Sequence, residues 1–334
     1  MSRCQEGIDQ PLVSVVIPAF NAQNTILSTL HSVCRQTLKE VEILVVDDGS
    51  EDDTAAVVRA RAEQDHRIRL IQQANMGVAA ARNAGIDRAR APLVAPVDAD
   101  DLWRPHKLER QYRAIQDCRI SLVYTAYCTI DQRGTVVSFH RPHQEGKVLE
   151  ALFGGNIVGN GSSALMRTAE VRRNGGYDCG LRAQGAQGCE DLALYLRLAE
   201  SGEFALVPEY LTGYRDSMDN MSSNSLRMLR SYDLVQEPYK ESHSLSCKTF
   251  REGRAKLVAY LFKRALKAGR TRDALRFLGV ACGRDIRLWL RLTATPAFAA
   301  SVAPPAMRRA LRKLLRRRVH KLVGRSFLGL PDGV

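Results

Sequence analysis

The sequence predicts an α/β fold, a mainly parallel central sheet flanked by helices, followed by a helical basic C-terminal extension. Three observations predict it. Short β-branched runs alternate with helical patterns through the first half of the chain, as in a parallel sheet covered on both faces. Polar clusters follow three of those runs directly, two of them acidic. After about residue 225 the strand signals stop and the sequence turns helical and increasingly basic.

Strands are expected at 12–18, 41–47, 68–72 and 92–98, with helices between them at 24–36, 52–64 and 77–89. Ile26, Leu30 and Val33 form one apolar stripe of the first helix. Ser50, with Asp53 three residues on, has the form of a capping box opening the second. From 121 to 139 two strand-like runs surround Asp131-Gln132-Arg133-Gly134, a hairpin signal. A Gly-rich stretch at 154–161 leads to an apolar run at 162–166. A helix at 190–200 then precedes short strands at 204–207 and 211–214. The 334 residues suffice for one large α/β domain and an appendage, since single cores stop growing at about 250–300 residues. The division expected is 10–225 and 226–334.

With 45% hydrophobic and 25% charged residues the chain has an ordinary globular composition. Its net charge of +13 is concentrated late: eleven Lys or Arg and no Asp or Glu lie between Arg287 and Arg325, leaving the rest near neutral. The body is therefore not expected to bind nucleic acid. Eight scattered cysteines without a C-x-x-C pair suggest reduced, structural thiols. Residues 1–10 lack an apolar signal-peptide core, and no window reaches the ~18 apolar residues of a spanning helix. A cytoplasmic protein is the expectation.

In open α/β sheets ligands bind beyond the carboxyl ends of the strands. Pro18-Ala19-Phe20-Asn21, Asp47-Asp48-Gly49-Ser50 and Asp98-Ala99-Asp100-Asp101 all fall there. Three carboxylates within four residues repel one another unless a cation sits among them. An Asp-x-Asp pair suits Mg²⁺ or Mn²⁺, which take one or two carboxylates and fill the shell with water and phosphate oxygens. The plainer reading is that Asp100 or Asp101 caps a helix starting near Arg104-Pro105. Asp47 and Asp48 read either as a turn or as acceptors for a nucleotide base, with Phe20 offering the ring an apolar face. Gly77 to Gly85 opens a helix of small residues, where Arg82 is either a phosphate ligand or a solvated charge. Glu190-Asp191 starts a helix, where acids are favoured by the dipole whatever their role. The preceding loop, Gly185 to Cys189, could bring one of them over a substrate.

Together these residues resemble family 2 of the GT-A-fold glycosyltransferases. The resemblance lies in 13–21, in Asp47-Asp48-Gly49-Ser50, in Asn75-Met76-Gly77 with Ala81-Arg82-Asn83, in Asp98-Ala99-Asp100-Asp101 with Trp103 and Pro105, and in Glu190-Asp191. It covers roughly residues 11–214, and five motifs in order make it specific. It implies a GT-A type nucleotide-diphospho-sugar transferase fold and a nucleotide-diphosphate sugar donor, often UDP-linked. Pro18, Ala19, Phe20, Asn21, Asp47, Asp48, Asn75, Gly77, Arg82, Asp98, Ala99, Asp100, Asp101 and Glu190 would line the donor site. Asp98 and Asp100 would hold Mn²⁺ or Mg²⁺. Asp191 would be the general base of an inverting displacement. The Gln-x-x-Arg-Trp motif and spanning helices of processive relatives are not found, which implies a non-processive enzyme. Where many relatives place His after Tyr-Arg, Tyr214-Arg215 is followed by Asp216-Ser217.

In the basic tail, Met307, Ala310, Leu311, Leu314, Leu315, Val319 and Leu322 recur at helical spacing among Arg and Lys. Such a helix at 307–325 suits an anionic membrane surface, at about 1 kcal/mol per nearby cation, or packs on the domain with a solvated basic face. A glycan or lipid-linked acceptor would be in reach of a membrane-bound enzyme. Two other classes compete with the glycosyltransferase: a Mg²⁺-dependent phosphoryl or nucleotidyl transferase, and a non-catalytic sugar- or nucleic-acid-binding protein. A dinucleotide oxidoreductase is disfavoured, because no G-x-G-x-x-G follows the first strand.

Overall fold

The computed structural model describes residues 10–216, 225–242, 247–284, 294 and 322–331. Its first half is built from β1 (Val13–Ala19), α1 (Ile26–Cys34), β2 (Val41–Asp47), α2 (Thr54–Ala62), β3 (Ile68–Gln72), α3 (Val78–Asp87) and β4 (Leu93–Pro96). These four strands are parallel in the order β3-β2-β1-β4. Every residue of β1 and β2 is buried, which is why both read as near-continuous apolar runs. The register pairs Ala19 with Asp47 and Asp47 with Gln72, so the strand ends and the polar residues after them share one edge.

Beyond β4 the sheet becomes mixed. The chain adds β5 (Leu102–Trp103), α4 (Lys107–Ala114), β6 (Ile120–Ile130), β7 (Val136–His140), α5 (Leu149–Phe153), β8 (Ala164–Arg167), α6 (Thr168–Arg173), α7 (Gly180–Ala183), α8 (Glu190–Ser201) and β9 (Glu203–Arg215). The full order is β3-β2-β1-β4-β8-β6-β9-β5, with β7 on β6. β8 is antiparallel to β4 and β6, whereas β6 and β9 are parallel.

Three local expectations are corrected. The strands expected at 204–207 and 211–214 are one strand, β9; the register slips between Val207 and Tyr210, around Pro208, which has no N–H for the ladder. The helix expected near Arg104-Pro105 starts at Lys107, because Leu102 and Trp103 pair with Gly213 and Thr212 instead. The capping box does not form: Ser50 Oγ accepts from Asn21 N at 3.0 Å, and α2 starts after Asp53 with no side-chain cap.

Two apolar cores flank the sheet. One includes Val15, Ile43, Leu30 and Trp103; the other includes Phe153, Tyr195 and Phe204. After β9 come α9 (Ser225–Ser242), α10 (Cys247–Lys267) and α11 (Thr271–Arg284). Tyr232, Val235 and Phe250 from α9 and α10 join the core around Phe153, and Tyr232 Oη donates to Phe153 O at 3.0 Å. Most of the basic tail, 307–321, lies outside the described residues. Among the described residues no helix is long and apolar enough to cross a membrane.

Candidate active site

The loops after β1, β2 and β3 are tied together by side chains. Asn21, whose φ is +48°, receives the Glu51 N–H on Oδ1 at 2.9 Å. Gln23 N donates to Asp52 Oδ2 at 3.1 Å and Ala22 N to Thr54 Oγ1 at 2.8 Å. Asp48 accepts from Gln73 Nε2 and Met76 N on one oxygen and from Gly77 N, at 2.7 Å, on the other. Asp47 closes its own turn, accepting from Ser50 N at 3.1 Å and Gln72 Nε2 at 3.1 Å. Both carboxylates are almost fully buried. Each therefore works inside the loop framework, although Asp48 also reaches a cavity wall.

That cavity, of about 650 Å³, opens at the carboxyl edge of the sheet. Its size falls within the ~300–1,000 Å³ of small-ligand clefts. Pro18, Ala19, Phe20, Asn21, Asp48, Asn75, Gly77, Asp98, Ala99 and Asp100 all line it. Phe20 is half exposed there, an apolar face presented to the cleft. Gly77, at φ +90°, leaves room for Arg182: a Cβ at 77 would lie 2.8 Å from Arg182 Nη1.

The acids after β4 part company. Asp98 takes a hydrogen bond from Arg82 Nη2 at 2.6 Å, and its backbone N–H donates to Ser162 Oγ at 3.0 Å. Burial and the Asp98 charge push the Asp100 carboxyl up, with Arg215 opposing them. Asp101 is fully buried and does not line the cavity; it accepts from Ser162 Oγ and from Arg215 N at 2.8 Å. Neither Asp100 nor Asp101 caps α4, whose N-cap is His106.

Arg82 is not a solvated charge. Its side chain is 1% exposed and lies 5.0 Å from the Tyr177 ring centroid. While Nη2 holds Asp98, Nη1 holds Asp191 Oδ1 at 2.9 Å. The Asp191 side chain is 21% exposed; burial pushes its carboxyl up to about 6, the Arg82 charge opposing and Asp98 and Glu190 adding to the rise. A Cβ on Gly161 would lie 2.8 Å from Arg82 Nη2 and 3.1 Å from Asp191 Oδ2, so the close approach needs glycine. Glu190 turns away: it is 4% exposed and accepts the Gly188 N–H at 2.8 Å, closing the loop before α8.

The cavity also contains Gln132, Arg182, Gln187, Tyr214 and Arg215, which the sequence reading left without a role. Arg182 donates to Asn75 Oδ1 at 2.9 Å. Arg215 donates to Asp100 O at 2.6 Å, Asp131 O at 2.8 Å and Gln132 O at 2.7 Å. Tyr214 and Arg215 obey the rule that singled out the other clusters, being polar residues ending an apolar strand. Gln187 carried only the weaker signal of the Gly185–Cys189 loop, and Arg182, in α7, carried none. Among the described residues no group of three or more His, Cys, Asp or Glu side chains is arranged to hold a metal. Any cation here would draw on two carboxylates and on its ligand.

The glycosyl transferase family 2 profile matches residues 14–170. Over 238 residues the chain is 29% identical to TuaG of Bacillus subtilis (strain 168), named for teichuronic acid biosynthesis, covering 70% of this chain and 90% of that one. Other relatives are longer: a 33% match to an uncharacterized glycosyltransferase of Rickettsia conorii spans 50% of this chain and 26% of that protein. Among solved structures, S. aureus TarS 1-349 in complex with UDP-GlcNAc superposes at TM-score 0.56 and 16% identity, covering 87% of this chain and 81% of that one. The mannosyltransferase PcManGT of Pyrobaculum calidifontis, in complex with GDP-Man and Mn²⁺, superposes at TM-score 0.56 and 18% identity, covering 92% and 88%. The chain thus carries a glycosyl transferase family 2 domain over residues 14–170, in a glycosyltransferase fold of the GT-A type.

Proposed function

We propose that the chain transfers a sugar, with inversion, from a nucleotide-diphosphate donor to a hydroxyl of a glycan or lipid-linked acceptor in surface polysaccharide or glycoconjugate synthesis. The donor is UDP-linked, the nucleotide of the TarS complex. One observation carries the reading: a single guanidinium, that of Arg82, holds both Asp98 just after β4 and Asp191 at the start of α8. That contact sets a candidate base beside the wall where the diphosphate would lie.

Asp98 and Asp100 would hold Mn²⁺ or Mg²⁺. Two carboxylates at a cavity wall, with no third ligand arranged beside them among the described residues, suit a cation that completes its shell with phosphate oxygens and water. When bound, the ion neutralises charge gathering on the departing diphosphate. Phe20 covers one face of the base, and the Asp48 framework holds the surrounding loops. Asp191 takes the acceptor proton as its oxygen bonds to the anomeric carbon, and the pair of the breaking C–O bond leaves with the nucleoside diphosphate. A carboxyl near 6 is mostly ionised at neutral pH, yet more basic than an ordinary aspartate.

Residues 10–225 constitute the catalytic domain and 226–334 a helical, basic region. The basic segment expected at 307–325, whose described end at 322–325 lies against the β6–β7 hairpin, would bring the enzyme to an anionic membrane surface on the cytoplasmic side, where a lipid-linked acceptor would be found.

A panel of nucleotide sugars screened for Mn²⁺-dependent thermal stabilisation tests the proposal, followed by product analysis with the stabilising donor. UDP-sugars should raise the melting midpoint, and slow release of UDP should follow. Absence of stabilisation across the whole panel overturns it.

A further inference from the structure

The last described residues return to the active-site domain. Residues 322–331 lie along the β6–β7 hairpin: Gly324 N donates to Val136 O at 2.8 Å, Val136 N to Arg325 O at 2.8 Å and Phe327 N to Gly134 O at 2.9 Å. Thr135 and Ser326 form an antiparallel bridge. Two side chains anchor the segment, since Phe327 is fully buried and Leu330 is 5% exposed, in one cluster with Leu102, Ile130 and Tyr210. Arg104 Nη2 holds Leu330 O at 2.9 Å.

What this segment supports is the cavity wall. Phe327 presses on Gly213, where an added Cβ would lie 2.8 Å from its Cδ1. The next two residues, Tyr214 and Arg215, line the cavity. Leu102, in the same cluster, directly follows the acidic segment that ends in Asp101. The hairpin turn held by the segment carries Gln132, itself a lining residue, whose carbonyl accepts from Arg215. Arg215 in turn holds the Asp100 carbonyl. One clamp thus reaches the acidic wall by two routes, through β9 and through the hairpin turn.

We infer that residues 322–331 are a clasp that holds the Asp100–Arg215–Gln132 wall in its ligand-binding geometry, with Phe327 as the positioning residue. The inference rests on reading the cavity as a nucleotide-diphosphate site. Cores are close-packed, so loss of the Phe327 ring leaves a cavity into which the backbone at Gly213 can partly relax.

UDP affinity by calorimetry in Mn²⁺, with melting midpoints alongside, tests it in the full-length chain. Phe327→Ala should weaken UDP at least fivefold, and Phe327→Leu should restore affinity to within about twofold. Gly213→Ala, which pushes the ring away while leaving the segment intact, should also weaken UDP. Phe277→Ala removes an equally buried ring from the α10–α11 cluster, away from the cavity; it should lower the midpoint and leave UDP affinity unchanged. If Phe327→Ala does not fold, the Gly213→Ala result decides. Unchanged affinity in Gly213→Ala, or equal losses in Phe277→Ala and Phe327→Ala, overturns the clasp. Failure of the wild-type chain to bind UDP at all overturns instead the reading of the cavity.

Discussion

Asp98 and Asp191, one just beyond the fourth strand and the other opening α8, are gripped by the two terminal nitrogens of the same buried guanidinium, at 2.6 and 2.9 Å. The two acids come from distant parts of the chain, and Arg82 is the part that makes them one site. A buried pair broken on one side is strongly destabilising, by about 3–5 kcal/mol, because a charge is left without its partner. Arg82→Met leaves two carboxylates facing each other. It should lower unfolding free energy by about 3 kcal/mol in urea titrations and abolish transfer; unaltered stability would show that the ion pairs are not formed in solution.

Asp191→Asn keeps the size of the side chain and removes the base. General-base catalysis contributes about 10²–10⁴-fold, so turnover should fall by at least 10² while UDP affinity stays within about twofold. Steady-state rates paired with calorimetry read both quantities. Full turnover in this variant removes Asp191 from the chemistry.

The rate should fall in acid for the same reason. With its carboxyl raised to about 6, chiefly by burial, Asp191 is protonated below that pH and has no free pair for the acceptor proton. The profile of kcat/KM should therefore drop tenfold per pH unit below about 6 and level off above it. A profile flat from pH 5 to 8 contradicts the assignment.

Gly161 offers a test that replaces neither acid. Gly161→Ala places a methyl against Arg82 Nη2 and Asp191 Oδ2. The variant should fold, lose at least tenfold in turnover and keep its UDP affinity within a few-fold. Wild-type turnover would mean that the geometry of the pair does not matter to the reaction.

Much of this could be read from the residues. The parallel half of the sheet was legible because β1 and β2 are buried on both faces and spell it out as near-continuous apolar runs. The acids at the strand ends stood out because carboxylates so close together need a reason. Distance along the chain hid the rest. Arg82 reads equally as a phosphate ligand or a solvated charge until α8 is folded against it, and Asp101 looks like Asp98 until Ser162 and the Arg215 N–H arrive to bury it. Nothing local marks Phe327 as a neighbour of Gly213. Pro208 misled in the opposite direction, its local break being absorbed as a slip within one long strand.

The most direct measurement is a crystal of the wild-type chain soaked with UDP and Mn²⁺, with anomalous scattering recorded to locate the metal. The account predicts a manganese peak within bonding distance of the Asp98 and Asp100 carboxylates and of the UDP diphosphate. A bound UDP whose diphosphate lies away from those two aspartates, or a manganese peak elsewhere, would contradict it.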